Sequence, residues 1–315
     1  MVGVDVSKYG FVFPGQGSQA TGMLADLAQK YSLIEEVFDE ASQALGYDLW
    51  DVVQNDDTGR LNSTDVTQPA LLTSGVALFR LWKTLANSKA EPAILAGHSL
   101  GEYTALTCAG SLDLDVAVRL VEARGQFMQQ AVAPGAGKMA AVLKVEDAII
   151  EEVCGSLSSQ GVISPVNYNS PGQVVIAGEA ALVDSASALL KERGARVMPL
   201  AVSVPSHCNL MQPAAEKLKP LLEATEIKTP NIPVINNVDV AMATEAAAIK
   251  DALIRQLYCP VRWTEIGQYL AGEGVNDLYE LGPGKVLSGL MKRIDGNLAC
   301  SPLGTLTAFE GALEI

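Results

Sequence analysis

Ala93-Ile94-Leu95-Ala96-Gly97-His98-Ser99-Leu100-Gly101-Glu102-Tyr103-Thr104-Ala105-Leu106 is the stretch whose reading decides the fold. Its first four residues are an apolar run that reads as a strand, and from Gly101 onward the pattern is helical. Between them stands Gly-x-Ser-x-Gly, the spacing of a nucleophile elbow in the strand–turn–helix context such an elbow requires. The turn strains the serine backbone and projects the Ser99 hydroxyl clear of the sheet. Gly97 and Gly101 flank it because side chains there would collide with the tight crossing. The helix that follows directs its first N–H groups and the positive end of its dipole at the place where negative charge would develop. Such a spacing arises by chance in about 0.1 chains of this length, so the flanking strand and helix carry the reading against an inert glycine-rich turn.

Upstream, Tyr9–Phe13 reads as a strand, Pro14-Gly15-Gln16-Gly17-Ser18-Gln19 as a turn, and Met23 through Leu45 as helix. Gly15-x-Gly17-x-x-Ala20 formally matches a dinucleotide fingerprint after a strand, although Pro14 is awkward there. A loop whose backbone N–H groups face a reacting carbonyl fits better, and a plain tight turn is the third reading. Asn62 to Pro69 is expected to be a polar loop, followed by a helix over Ala70–Leu85. Downstream, Asp113–Val132 has the period of an amphipathic helix, with Val116, Leu120, Ala123 and Phe127 on one face. Arg124 lies in it, among Val121, Ala123 and Gly125. Most helical arginines are solvated. This one follows the nucleophile by a single helix in a chain poor in positive charge, which makes it a candidate ligand for an anionic group.

Pro134-Gly-Ala-Gly137 marks a boundary beyond which the pattern changes. Met139–Leu143, Val162–Tyr168, Gln173–Ala177 and Arg196–Leu200 read as strands, and Glu146–Leu157 and Ala180–Arg193 as helices. The order β-α-β-β-α-β is that of a ferredoxin-like unit. The fold class expected is therefore α/β: a hydrolase-like large domain with a nucleophile elbow and an inserted ferredoxin-like small domain. Residues 1–132 and 202–315 are assigned to the large domain and 133–201 to the small one, with the cleft between them.

Val202-Ser-Val-Pro-Ser-His207 follows where the chain re-enters the large domain. The chain has only 2 histidines, His98 and His207. Acyl transfer from a serine needs a base that works near neutral pH, and histidine is the usual one. His98 adjoins Ser99 in a tight turn, so its ring should point away from the hydroxyl. His207 is then the base by elimination. Later segments read as helices over Met211–Leu222, Ala246–Leu257, Val261–Leu270 and Val286–Ile294, with strands at Val234–Asn236 and Asp277–Leu281.

The 315 residues are enough for one large domain plus a smaller one. With 36 acidic and 22 basic residues the formal charge is −14, which argues against nucleic acid or an anionic membrane as partner. No apolar run is long enough to cross a bilayer, and no basic stretch followed by a long apolar one opens the chain. A cytoplasmic location without a signal peptide is expected. The 5 cysteines, without C-x-x-C spacing, read as reduced thiols and not as a disulfide frame or zinc site. Cys208 follows His207 but is not needed as a nucleophile once Ser99 has the elbow.

"FVFPGQGSQ" (11–19), "GHSLGEY" (97–103), "RLVEARG" (119–125), "VNYNSPGQVVIAG" (166–178), "VPSHC" (204–208) and "GPGKVL" (282–287) occur in this order. As a set they closely resemble the malonyl-CoA:acyl carrier protein transacylases of bacterial type II fatty-acid synthesis, over essentially the whole chain. The resemblance implies Ser99 as nucleophile and His207 as general base. The main-chain carbonyl of Gln256 would orient the His207 ring, in the place of a triad aspartate. It implies an oxyanion hole from the backbone N–H groups of Gln16 and Leu100, Arg124 on the malonyl carboxylate, and Gln173 near the substrate. The tetrad Val204-Pro-Ser-His207 differs from that of methylmalonyl-selective relatives, which implies malonyl. Malonyl-CoA and holo-acyl carrier protein are the implied partners, the acidic carrier docking on a local basic patch of a monomeric enzyme. No metal and no bound cofactor are expected.

Two other readings compete. An esterase or thioesterase would use the same elbow, but in that fold the order is usually serine, acid, then a histidine near the C-terminus. A dinucleotide-binding protein would use Gly15 and Gly17 and leave Ser99, His207 and Arg124 unexplained. Lys285, Lys292, Arg293, Lys191, Arg193 and Arg196 are the candidate docking residues, each weighed against ordinary solvation.

Overall fold

The computed structural model describes residues 8–86, 91–202 and 204–313. Two sheets organise it. The first has five parallel strands in the order β7-β2-β1-β8-β9. These are β1 (Tyr9–Phe13), β2 (Ile94–Gly97), β7 (Val234–Ile235), β8 (Asp277–Glu280) and β9 (Ala299–Pro302). The second is antiparallel, in the order β4-β5-β3-β6. Its strands are β3 (Gly137–Leu143), β4 (Ile163–Ser170), β5 (Gln173–Glu179) and β6 (Arg196–Pro199).

β1 is central and buried along its whole length, as a strand covered on both faces must be. Alternate residues serve opposite cores. Phe11, Phe13 and Leu95 pack with Phe79 and Trp82 on one face, while Val12, Ile94, Ala96 and Ile235 pack with Trp263, Ile266 and Met291 on the other. Phe13 pairs in register with Gly97, so β1 and β2 end level. The loop after β1 and the elbow after β2 therefore emerge side by side at the carboxyl edge, where sheets of this kind bind ligands.

The antiparallel sheet has the expected β-α-β-β-α-β order. Helices Asp147–Leu157 and Ala180–Glu192 cover one face, over Val142, Val174 and Ile176. The opposite face turns Met139, Ala141, Val175 and Ala177 towards Cys208, Leu200 and Leu210. Strand period alone sorts these sets, since neighbouring residues point to opposite sides.

Several expected boundaries move, each because of a distant contact. The helix expected over Ala70–Leu85 begins at Thr64, and Pro69 lies inside it. Proline there removes a backbone hydrogen bond, but the first turn is packed so closely on the helix Leu114–Ala131 that a Cβ on Gly125 would stand 2.6 Å from the Asp65 Cα. The helix expected over Met23–Leu45 is two, Ala25–Ala28 and Leu33–Leu45. Lys30 and the Tyr31 hydroxyl at the break both bond Glu310 in the helix Leu306–Leu313, an element not foreseen. Val261 does not open a helix. It bonds the antiparallel sheet at β4: its N–H donates to the Val166 carbonyl at 2.9 Å and its carbonyl accepts from the Tyr168 N–H at 3.0 Å. The helix starts at Trp263.

Candidate active site

Ser99 ends the turn between β2 and the helix Leu100–Cys108, with φ 52° and ψ −107°. A non-glycine residue there is strained, and the surroundings must hold it. The two glycines are required by space. A Cβ on Gly97 would fall 1.8 Å from the Gly101 carbonyl carbon, and one on Gly101 2.0 Å from the Phe13 oxygen. Both main-chain groups of Ser99 are tied to side chains: its N–H donates to Asn237 Oδ1 at 2.7 Å, and its carbonyl accepts from Gln256 Nε2 at 3.0 Å. Asn237 Nδ2 also donates to the Gly97 carbonyl at 2.7 Å.

The Ser99 hydroxyl is 2.8 Å from His207 Nε2, and His207 Nδ1 is 2.7 Å from the Gln256 carbonyl. A carbonyl only accepts, so Nδ1 carries the proton and Nε2 faces Ser99 as a free base. His207 itself has φ 66°, and its N–H donates to the Leu257 carbonyl at 3.0 Å. Burial first, and the neighbouring Arg124 cation second, push its imidazole down to about 3. The ring is therefore neutral at physiological pH. His98 turns the other way, its Nε2 2.8 Å from Asn169 Oδ1 and its ring on Trp263. The Cys208 thiol is buried, donates to the Pro205 carbonyl, and is pushed up to about 11 by burial.

Arg124 is 1 % exposed. Its Nη1 donates to Gln68 Oε1 at 2.7 Å, and its Nη2 to Gln256 Oε1 at 2.9 Å and to Ser99 Oγ at 3.2 Å. The guanidinium lies over the Tyr103 ring, and Nε has no partner among the described residues. No described carboxylate forms an ion pair with it. A buried cation held only by neutral acceptors is costly unless an anion completes it. Behind it lies Glu102, also buried, whose Oε2 accepts from the Asn237 N–H at 2.9 Å and from Gln256 Nε2 at 2.7 Å. Burial pushes this carboxyl up to about 7. Gln256 thus has three uses: its carbonyl turns His207, its Oε1 holds Arg124, and its Nε2 links Ser99 to Glu102.

The loop after β1 is pressed on the elbow, since a Cβ on Gly15 would stand 2.6 Å from the His98 oxygen. Gln16 bonds Thr64 through its side chain. Its backbone N–H, like that of Leu100 at the head of the helix, donates to no described residue. No helix begins at Gly17, as a dinucleotide site would require; Ala25–Ala28 is the next, and it is one turn long.

These residues surround an open cleft with a cavity volume of about 100 Å³. Gln16, Gln68, Ser99, Arg124 and His207 line it from the large domain, and Met139 and Asn167 of the small sheet line it with Leu200, which follows β6. Gln173 does not line it; its Oε1 accepts from Arg293 at 2.6 Å instead. Gln68, Glu102, Asn237 and Asn167 are not among the site residues expected from the sequence. Gln68 left one trace, a glutamine just ahead of an apolar helix. Glu102 stands within the elbow motif, and nothing local marks Asn237.

A model of the acyl transferase domain family matches residues 10–278. A malonyl CoA-acyl carrier protein transacylase of Escherichia coli (strain K12) is 55% identical over 98% of this chain and 100% of its own. The chain belongs to the malonyl-CoA:acyl carrier protein transacylase family. The relative of that name in Bacillus subtilis is 45% identical over 98% of this chain and 97% of its own. Among solved structures, an acyl carrier protein S-malonyltransferase from Vibrio cholerae is 54% identical, with TM-score 0.94 over 97% of this chain and 100% of that one. A malonyl-transacylase in complex with a type II PKS acyl-carrier protein is 50% identical, with TM-score 0.95 over 98% and 99%. The α/β architecture with its ferredoxin-like unit is thus that of the family.

Proposed function

We propose that this chain moves the malonyl group from malonyl-CoA to the phosphopantetheine thiol of acyl carrier protein, through a malonyl ester on Ser99, and so supplies fatty-acid elongation. The observation that carries this reading is Arg124: a buried, forked cation without a carboxylate partner, 3.2 Å from the serine hydroxyl. A guanidinium grips a carboxylate with two parallel hydrogen bonds and has no such use for a neutral acyl group.

In the first half-reaction His207 Nε2 takes the Ser99 proton as Oγ attacks the thioester carbonyl. The N–H groups of Gln16 and Leu100 hold the oxyanion, a contribution on the order of 3 kcal/mol per donor. The C–S bond then breaks and the CoA sulfur leaves with the proton from His207. In the second half the carrier thiol gives its proton to His207 and attacks the ester, and Ser99 recovers that proton. The Gln256 carbonyl holds the ring in the required tautomer throughout, the office of a triad aspartate without its charge. We divide the chain into a large domain, 1–132 and 202–315, and an inserted small domain, 133–201, that closes the cleft against water.

No helix among the described residues is long and apolar enough to cross a membrane. With the unpaired thiols this supports a cytoplasmic enzyme. For the acidic carrier we favour Lys285, Lys292, Lys191 and Arg196, which are exposed and in no ion pair with a described residue, over Arg193, which pairs with Glu152. Arg293 is held by Gln173, so a role for Gln173 near the substrate would be exercised through that pair.

Intact mass after mixing with malonyl-CoA tests the proposal. One malonyl adduct should appear, be absent in Ser99→Ala, and pass to holo-acyl carrier protein faster than to water. Loss to water with the carrier ignored would make the chain a hydrolase.

A further inference from the structure

Behind the cleft one amide joins the buried cation to a buried carboxyl. Gln256 Oε1 accepts from Arg124 Nη2 at 2.9 Å, and Gln256 Nε2 donates to Glu102 Oε2 at 2.7 Å and to the Ser99 carbonyl at 3.0 Å. The two acceptors on the nitrogen side fix which way round the amide stands. Turned over, it would set its oxygen against the Ser99 carbonyl and Glu102, and its nitrogen against a guanidinium that only donates. Glu102 therefore helps to hold an acceptor against Nη2, the nitrogen of Arg124 that reaches Ser99.

The charge of Glu102 matters as much as its place. It is 2 % exposed, and no described residue forms an ion pair with it. Few titratable groups face it. Asp239, just past Asn237, is already paired with Arg255. Tyr103, on the same helix as Glu102, is pushed up to about 12 by burial and stays neutral. His207 is neutral as well. That leaves Arg124, a cation with no carboxylate of its own, as the charge that favours ionised Glu102.

A malonyl group seated on Arg124 would bring a second carboxylate to a single guanidinium. Two buried anions that share one cation do not both stay ionised cheaply, and one of them takes a proton. The malonyl carboxylate cannot be that one without losing the paired hydrogen bonds that recognise it. Glu102 can, since burial has already pushed it up to about 7. It also borders a second cavity, of about 10 Å³, lined by Leu106, Asn236 and Ile249 and sharing no residue with the cleft. That is about the least room that holds one water, so a proton has a place to reach the carboxyl from behind the acyl group. Taking the proposed transfer reaction as given, we infer that Glu102 is a specificity residue acting through Gln256: its carboxylate competes with the substrate's for Arg124, and it takes up a proton from solvent when malonyl is bound. No other bond is made or broken in that step. An acetyl group has no carboxylate and leaves Glu102 as it was.

The malonyl-to-acetyl ratio of kcat/KM for acylation isolates this, because the two substrates share the CoA moiety, Ser99 and His207. In wild type the ratio should fall about tenfold between about pH 6 and about pH 9, as Glu102 gives up the proton that malonyl requires. In Glu102→Gln it should stay flat, near the wild-type value at the acid end. Wild type alone gives a second measurement, should that variant not fold. In weakly buffered solution with an indicator dye near pH 7.5, acylation by malonyl-CoA should take up about half a proton per Ser99 more than acylation by acetyl-CoA. A wild-type ratio that is flat with pH, or equal proton uptake from both substrates, overturns the inference. So does a ratio that falls as steeply in Glu102→Gln, which would assign the titration to another group. Failure of malonyl-CoA to form any adduct with wild type would instead overturn the transfer reaction.

Discussion

The two walls of the cleft are built on different principles. On the large-domain wall every group proposed to react is held by another: Ser99 by Asn237 and Gln256, His207 by the Gln256 carbonyl, Arg124 by Gln68 and Gln256. The small-domain wall presents Met139 and Leu200, with Asn167 as its single polar contact. Groups that must keep their geometry while charge moves gain from a rigid network in low dielectric. A surface that admits an acyl arm and then excludes water needs apolar area and few commitments. The proposed mechanism thus places chemistry with the parallel sheet and enclosure with the antiparallel one.

The largest effect should come from breaking the cation of the first wall. In the proposed mechanism Arg124→Ala removes a charge-assisted pair with the malonyl carboxylate, and transfer from malonyl-CoA should fall about 10²- to 10³-fold. Transfer from acetyl-CoA should survive or improve. Because Arg124 is also one cause that holds the His207 imidazole down, the acid limb of the acetyl profile should move to higher pH in the variant. Equal loss on both acyl groups, with an unmoved limb, would remove Arg124 from the carboxylate.

That difference between walls also explains what the sequence made legible. The elbow is a local rule: two glycines forced by space and a serine between strand and helix, all within five residues. His207 followed from scarcity, since there was one other histidine and it was badly placed. The network behind them is not local. Asn237 and Gln256 meet Ser99 from positions 138 and 157 residues away, and no spacing rule relates them. The carbonyl of Gln256 was reachable only through the resemblance to known transacylases. The same cause moved the element boundaries: Pro69 lies inside a helix packed against Gly125, and Val261 is spent on bonding β4.

The next effect is read in stability. Glu102 sits at the back of the network, its carboxyl raised from 4.5 to about 7 by burial. Between those values the native chain keeps a proton that the unfolded chain gives up. Stability therefore falls as pH rises through this window, and the cost is complete above about 7. Glu102→Gln keeps an acceptor for Asn237 and Gln256 but has nothing to ionise. Its unfolding free energy should match wild type near pH 4.5 and exceed it by up to about 3 kcal/mol above neutrality. Denaturant titrations at three pH values would check this, and a gap that stays constant with pH would sink it.

Gln68→Leu asks how much of the wall's rigidity Arg124 needs. The substitution removes the acceptor on Nη1 and leaves that donor buried. The guanidinium loses one of its two glutamine restraints, so the fork is no longer held ready for a carboxylate and must be ordered when substrate binds. KM for malonyl-CoA should rise about tenfold with a smaller change in kcat, the size of one lost buried hydrogen bond. A fall in kcat alone would mean that Gln68 positions Ser99 and not the carboxylate.

On the second wall a comparable cut should do least. Leu200 is half-buried and hydrogen-bonds through its backbone N–H, to the Met139 carbonyl, so Leu200→Ala shortens an apolar side chain at the cleft without disturbing Ser99, His207 or Arg124. Acylation by malonyl-CoA should barely change. What should change is the fate of the malonyl ester, since an opened cleft admits water beside it. The ratio of hydrolysis to transfer should rise a few-fold when the acyl-enzyme is chased with carrier protein. A drop in acylation of the size seen for Gln68→Leu would show that the small-domain wall shares in positioning the reacting groups, and the division of labour between the two walls would fail there.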